Sequence, residues 1–483
     1  MSLAQNVLVL MSDEHNPKFL GCAGHPFIET PHLDRLAARG TRFTSAYTCS
    51  PICVPARAAF ATGRYVHEVG FWDNADAYDG SIARWHHVLR QAGHRVTSIG
   101  KLHFRGHPGD DHGWSEEILP MHIIDGVGDV KGLVRHNIPV RKGGDKMAKL
   151  AGPGESTYTQ YDAQITQATC QWLEQRAAQK DAKPWALFVS MVAPHFPLTA
   201  PERWFKHYAA MDLPWPKLYA KDERPHHPFT DEYARVVDYD SHFHSKADVQ
   251  RALAGYCGLV SFMDEQMGRV LDALERLDLA RDTLVIYTSD HGDNLGARGL
   301  WGKSTLYEES AGVPLIVAGA PIAAGGVMRE PVSHVDIAAT IVKAVDAPDL
   351  PQASGHCLID QIGGGVPSRP VLCEYHAIGS TGGATMLRVG HWKYCHYTDH
   401  PAQLFDLELD PQELDDLAAD PRHAERLRQC HSLLLQHLDP HEVDQRAKAR
   451  QAQLLSSYGG REAALARGDL GFTPAPGTAA AYN

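Results

Sequence analysis

The sequence predicts an α/β fold. A large central sheet, mixed but mostly parallel, is flanked by helices and followed by a small C-terminal antiparallel sheet with one helix. Three observations predict it. Short apolar runs alternate with helical periodicity along most of the chain, the pattern of βαβ units. Four of these runs break abruptly into Asp, Glu, Lys or His. Near residue 370 the pattern changes to short strands and then a polar helix.

The strand candidates are residues 6–11 (NVLVLM), 95–99 (RVTSI), 185–192 (WALFVSMV), 283–287 (TLVIY) and 313–317 (VPLIV). Between them the spacing predicts helices over 31–39, 55–62, 161–179, 249–277 and 335–345. Two stretches, 106–155 and 201–245, are rich in Gly, His or Asp and poor in periodicity; loops that long are usually functional, which makes them candidates for a pocket wall. Trp72, His112, Trp301 and Tyr307 are candidate pocket residues or core. Beyond residue 370, strands over 371–375, 384–389 and 392–397 precede a helix around 421–438. The last thirty or so residues, ending GFTPAPGTAAAYN, predict an extended arm. The expected division is a large α/β domain over 1–370, an α+β subdomain over 371–450 and an arm over 451–483. An arm of this kind suggests docking on a second copy, hence a homo-oligomer. Arg467-Gly468-Asp469 in the arm reads as a chance tripeptide.

Composition narrows the function. The 483 residues include 46 Lys+Arg against 58 Asp+Glu, a formal net charge of −12, with no basic run. Phosphate neutralisation needs clustered Lys and Arg, so a general nucleic-acid binder is excluded. The longest uncharged stretch, 311–328, contains Pro314 and Pro321 and is no membrane helix. The N-terminus enters an apolar strand without a basic leader, so no signal peptide, no membrane association and a cytoplasmic location are expected. Nine cysteines without a CxxC pair suggest neither a zinc ribbon nor a disulfide scaffold. The 29 histidines exceed what packing needs.

The chemistry gathers after the strands. The first ends in Asp13-Glu14-His15, the second in Lys101-Leu102-His103, the third in Pro194-His195, the fourth in Asp290-His291-Gly292-Asp293. In an open parallel sheet the carboxyl ends of the strands share one rim, where ligands bind. Asp13, Asp290 and His291 are donors suited to a divalent cation. The sharpest local signal is Cys53-Val54-Pro55-Ala56-Arg57, followed by Thr62-Gly63-Arg64. Pro55 suits a helix start, which puts Cys53 where the helix dipole favours an anion, with Arg57 one turn on. Taken alone, a cysteine there is either a nucleophile beside an anion site or a buried apolar thiol.

Cys53-Val54-Pro55-Ala56-Arg57 matches the C-x-P-x-R signature, and the chain thereby resembles the sulfatase family of the alkaline-phosphatase-like superfamily. Asn6 to Asp13, Thr30 to Leu36, Gly100 to His103, Pro194-His195, Ser289 to Gly292, Gly302-Lys303, Val313 to Leu315 and the late Gln403 to Leu407 fall in family order. The resemblance implies that Cys53 is converted to Cα-formylglycine by a formylglycine-generating enzyme. Its hydrated aldehyde would attack sulfur with one hydroxyl and release sulfate through the other, in nucleophilic catalysis. It implies one divalent metal, Ca2+ or Mn2+, held by Asp13, Glu14, residue 53, Asp290 and His291. Arg57 would orient the aldehyde. Lys101 and Lys303 would neutralise sulfate oxygens. His103 would take the proton of the second hydroxyl, and His195 with Lys303 would assist the leaving oxygen.

Two positions depart from the common pattern: His291 stands where many members have Asn, and Glu14 where many have a second Asp. Imidazole makes manganese or another transition ion more plausible than calcium. Asp290-His291 and Trp72-Asp73-Asn74 are similar to the branch of choline sulfatases and phosphonate monoester hydrolases, which implies Asn74 as a substrate contact. The expected activity is hydrolysis of a small anionic sulfate ester, the alternative a phosphonate monoester or phosphodiester at the same site.

Overall fold

The structure, a computed structural model, describes residues 5–179 and 183–482. Eight strands form the central sheet: β1 (Asn6–Asp13), β2 (Gly40–Phe43), β3 (Arg95–Lys101), β4 (Glu116–Met121), β5 (Trp185–Pro194), β6 (Thr283–Ser289), β7 (Leu315–Ala318) and β8 (Gly326–Met328). Their spatial order is β8-β2-β7-β6-β1-β5-β3-β4. The stretch β6-β1-β5-β3-β4 is parallel throughout; β7 runs antiparallel to both β6 and β2. The sheet is therefore mixed but mostly parallel, as expected.

The apolar runs are nearly continuous because both faces of the sheet are covered. Along β1, Leu8 and Leu10 pack on one face while Val7, Val9 and Met11 pack on the other, and β5 and β6 alternate in the same way. On the first face lie α1 (Pro31–Ala38), α3 (Thr157–Ala178) and α4 (Lys246–Arg276); on the second lie α2 (Cys53–Thr62) and α5 (His334–Ala344). The helix start at Thr157, a turn before the expected one, is set by Ser156: its Oγ accepts from the Thr159 amide at 3.2 Å.

Strands β2, β4 and β8 were not expected from the sequence. β2 and β8 are only four and three residues long, and β4 is an edge strand containing Pro120 and two glutamates, a composition that hides a strand signal. The two long loops also hold short helices, Glu202–Ala209 and Pro228–Val237 among them.

The C-terminal sheet is an antiparallel meander of β9 (Val371–Tyr375), β10 (Ala384–Val389), β11 (Trp392–Tyr397) and β12 (His400–Asp406). On one face Leu372, Leu387, Tyr394 and Leu404 pack with Cys430 and Leu434 of α6 (Ala424–Leu434) and with Val443 and Ala447 of α7 (Pro440–Ser457). The other face, with Val371, Cys373, Tyr375 and Met386, packs against Tyr47, Ile52, Phe229 and Leu306. Ile52 immediately precedes Cys53, so the small sheet buttresses the loop that presents it.

The expected arm over 451–483 is corrected. α7 runs through its supposed boundary, started by the Asp439 carboxylate and by Pro440 at the first helical position, and a further helix covers Gly460–Ala466. Only from about residue 467 is the chain extended, and there it packs on its own chain: the Tyr158 hydroxyl donates to the Thr473 carbonyl at 2.5 Å, and Lys131 pairs with Asp469 at 2.7 Å. The arm thus supplies no argument for docking on a second copy. Asp469 is 1% exposed, which fits the reading of its tripeptide as chance. All nine cysteines are unpaired. Among the described residues no helix is long and apolar enough to cross a membrane.

Candidate active site

Four adjacent strands, β6, β1, β5 and β3, deliver side chains to one rim, and α2 points its first turn at them. Cys53 is the first helical residue, after Ile52 in extended conformation. Its helix ends at Gly63, whose φ of 66° and contact with Leu350 and Ala338 leave no room for a side chain, which accounts for the glycine in Thr62-Gly63-Arg64.

Cys53 Sγ is the focus. It lies 3.2 Å from Nε2 of His291 and 3.8 Å from Oδ1 of Asp13, and the Lys303 ammonium donates to it at 3.1 Å. Burial first, then the charge of Asp13, pushes the unmodified thiol up to about 12. One ligand atom each from Asp13, Cys53, Asp290 and His291 lies within 4.8 Å of the others. His291 is set for such a role, because its Nδ1–H donates to the Gly292 carbonyl at 3.1 Å and leaves the Nε2 lone pair free. The donor set fits a divalent cation.

Glu14 sits differently from the expectation. Its carboxylate is fully buried without a hydrogen-bond donor, 3.4 Å from His195 Nε2 and 3.5 Å from Lys303 Nζ, and it groups with Asp13 and His195 rather than with Asp290 and His291. Burial raises it to about 8. A carboxylate buried beside the donor set without a hydrogen-bond donor, with Lys303 as its nearest cation, suits a further positive charge nearby.

Arg57 is also placed differently. It points at the carboxylates rather than at open pocket: Nη2 donates to Asp13 Oδ2 at 3.0 Å, Nε to Asp290 Oδ2 at 2.9 Å, and Nη1 to the Lys101 carbonyl and Ser190 Oγ at 2.7 and 2.9 Å. Lys101 Nζ takes Asp13 Oδ2 at 2.5 Å. Burial alone would raise the Asp13 carboxyl, but Lys101, His195 and Arg57 hold it well below the usual range. Both outer oxygens are neutralised, and Asp13 Oδ1 is left facing Cys53.

His195 donates Nδ1–H to the Phe196 carbonyl at 2.6 Å, so Nε2 accepts from Lys303 at 2.8 Å. Burial and then Lys303 keep its pKa well below the ordinary histidine value. His103 lines the same pocket with both ring nitrogens unpartnered, held neutral by burial and by Lys101 and Arg57. Its φ of 54°, like the 67° of Glu14 and the 77° of Ser304, is unusual for a residue with a side chain, and such backbone clusters at functional sites. Asn74 accepts the Val54 amide at 3.2 Å through Oδ1, which leaves its Nδ2 donors free at the pocket.

All the sequence-predicted site residues therefore come together. Trp72, Trp301 and Tyr307 instead pack in the core, and His112 lies in a separate cluster. Sequence reasoning missed Ser190, although a lone serine within WALFVSMV was a signal. Both stretches expected to wall the pocket do so, through residues such as Arg141 and Tyr239, whereas Tyr158, Phe472 and the segment 469–473 were missed, the sequence carrying no local sign of them.

Comparison with known proteins gives the class. The profile described as Sulfatase matches residues 5–347, and one described as N-sulphoglucosamine sulphohydrolase, C-terminal, matches 296–439. A choline-sulfatase of Rhizobium meliloti (strain 1021) is 33% identical over 86% of this chain and 83% of its own. Human arylsulfatase K is 28% identical over 86% of this chain and 79% of its own. The crystal structure of the phosphonate monoester hydrolase of Agrobacterium radiobacter superposes with a TM-score of 0.74 at 24% identity, covering 90% of this chain and 96% of its own, a likeness of fold. The class is that of a sulfuric ester hydrolase. Within it, the chain belongs to the sulfatase family.

Proposed function

We propose that this protein hydrolyses a small sulfate monoester to inorganic sulfate and an alcohol or phenol, with Cys53 as Cα-formylglycine for its nucleophile and one divalent cation, Ca2+ or Mn2+. The supporting observation is the placement of Cys53 Sγ, which stands in for the aldehyde-derived oxygen. It lies at a helix N-terminus, between the cation donors Asp13 and His291 on one side and Lys303 on the other.

When bound, the cation supplies Lewis acidity and makes a hydroxyl nucleophilic at neutral pH. Asp13, Asp290 and His291 would hold it, and the Glu14 carboxylate would add negative charge nearby. Arg57 braces Asp13 and Asp290 from behind, fixing their inner oxygens. Lys101 and Lys303 neutralise the sulfate oxygens, where charge develops as the ester S–O bond breaks. Asn74 donates to the same oxyanion. His195 accepts from the Lys303 ammonium and so orients it, and Lys303 gives a proton to the leaving oxygen. His103, neutral and unpartnered, takes a proton from residue 53 as sulfate departs. A formylglycine-generating enzyme is the maturation partner this requires.

The test is the intact mass of the Cys53 peptide with metal analysis, alongside rates on an aryl sulfate, an aryl phosphonate and an aryl phosphodiester. Aldehyde at Cys53, one stoichiometric divalent ion and abolished turnover in Cys53→Ala support the reading. Undiminished turnover in Cys53→Ala refutes the nucleophile. Much faster turnover of the phosphorus esters would favour the second reading, which His291 in the cation set and Asn74 at the pocket support.

A further inference from the structure

Away from this site, three side chains converge beside the strand that carries Lys101. His112 precedes β4, Glu117 lies within it and His122 follows it. Nδ1 of His112 is 2.9 Å from Oε1 of Glu117, and Nε2 of His122 is 3.2 Å from Oε2 of the same carboxylate. One ligand atom from each lies within 4.8 Å of the others, and the two imidazole rings are 5.2 Å apart. We propose that His112, Glu117 and His122 form a second metal site, for zinc or a similar late first-row divalent ion, separate from the active site and structural in role.

Three arguments carry this. The first is the donor set: two imidazoles and one carboxylate suit zinc and its neighbours and leave a coordination position for water. Glu117 and His122 are about a fifth exposed (23% and 21%), so an ion can enter from solvent and keep a water ligand.

The second is hydrogen bookkeeping. His112 stands between two carboxylates. Nδ1 faces Glu117, and Nε2, buried without a hydrogen-bond partner, faces Asp110 Oδ2 at 3.9 Å. Asp110 is itself fixed by Arg105, whose Nε donates to it at 2.9 Å. A neutral imidazole has one N–H and must turn a lone pair toward one of the two anions. An ion at Nδ1 removes that conflict and lets Nε2–H face Asp110, the carboxylate–histidine–metal arrangement that orients metal-bound imidazoles elsewhere. His122 has one such anion: its Nε2 faces Glu117, while Nδ1 is buried without a hydrogen-bond partner.

The third is preorganisation. The His122 ring lies against Gly106, where a Cβ would stand 2.4 Å from it, and the His112 ring packs on Phe104 at 5.3 Å between centroids. Both imidazoles are held before any ion arrives. The consequence reaches the chemistry. Met121, the last residue of β4, accepts the amides of Leu102 and His103 at 3.0 and 2.8 Å, and β3 pairs with β4 through Lys101 and Met121. An ion clamping both ends of β4 fastens the strand end that presents Lys101 and His103.

Zinc alone is the probe, added to the full-length chain and followed by removal of loosely held ion. Bound zinc is expected to fall by one equivalent per chain in Glu117→Gln and in His122→Ala, an equivalent that Asp13→Asn retains. Glu117→Gln is isosteric, and far-ultraviolet circular dichroism reports whether each variant folds. Zinc should also raise the melting temperature of Asp13→Asn but not that of Asp13→Asn combined with Glu117→Gln. Equal zinc content in wild type and Glu117→Gln overturns the proposal. So does a His112 imidazole resonance that moves with pH but not with zinc, which would make the cluster a clamp held by protons.

Discussion

The Lys303 ammonium donates to Nε2 of His195 at 2.8 Å, while the other ring nitrogen of His195 is spent on the Phe196 carbonyl. The imidazole can therefore only accept from Lys303, and the pair acts as one unit, with the proton on the lysine. Lys303→Ala and His195→Ala should each lower kcat about 100-fold or more, and the double variant should be little worse than the poorer single one. The loss should be larger for an alkyl sulfate than for 4-nitrophenyl sulfate, whose leaving oxygen needs no proton. Rates across a leaving-group series check this; a uniform loss would assign the pair to sulfate binding instead.

Arg57 spans Asp13 and Asp290 with a rigid fork that an ammonium cannot reproduce. Arg57→Lys should weaken divalent-cation affinity by about 10- to 100-fold, the usual effect of losing a group that orients metal ligands. Arg57→Ala should also destabilise the fold by about 3 kcal/mol, because the buried Asp290 loses its arginine while Asp13 keeps Lys101. Cation titration followed by heat of binding measures the first, and urea denaturation the second. Unchanged affinity in Arg57→Lys would mean that Lys101 alone positions Asp13.

The sheet and most of the site were legible because their signals are local. Asp13, Lys101, His195 and Asp290 each sit where an apolar strand run stops, and topology alone brings those ends together. Arg57's real partners were not legible: it is one turn from Cys53 in sequence, but its guanidinium meets two strands that lie 44 and 233 positions away. β4 was hidden by Pro120 and its glutamates, whose edge position no local pattern declares. Glu14 was placed with the cation donors because it matches the family's second acidic position, yet with a φ of 67° it faces His195 and Lys303.

The loop bearing Lys303 is fastened to the C-terminal subdomain through a buried cluster. Glu309 takes Lys18 at 3.1 Å, Lys217 at 2.6 Å and Arg298 at 3.2 Å, and Arg298 donates to the carbonyls of Gln412 and Glu413 at 2.9 Å each. Glu309→Gln leaves those cations without their common anion. It should cost about 3 kcal/mol, the low end for a broken buried pair because Lys18 is a third exposed (33%). Urea denaturation of the variant checks this, and a cost under about 1 kcal/mol would mean that solvent already screens the cluster.

The C-terminal segment closes the pocket from its own chain, and its effect should fall on substrate binding rather than on chemistry. Asp469 anchors it, pairing with Arg141 at 2.9 Å and Lys131 at 2.7 Å and accepting the Lys142 amide at 2.7 Å. Three residues on, the Phe472 ring packs on Tyr158 and Phe196 at 5.3 and 5.9 Å and lines the pocket beside His195. None of the side chains proposed for the cation, for residue 53 or for the sulfate oxygens comes from this segment. Burying one aromatic ring against a substrate is worth about 1.5–3 kcal/mol, roughly tenfold or more in affinity. Phe472→Ala should therefore raise KM for an aromatic sulfate about tenfold with kcat nearly unchanged, and a chain ending at Gly468 should do the same or more. Inhibition by inorganic sulfate, which needs only the cationic end of the pocket, should be unaffected in both. If instead kcat falls and sulfate inhibition weakens with KM unchanged, the segment is bracing the catalytic groups themselves, through Tyr158 and the His195 ring it packs against at 5.9 Å.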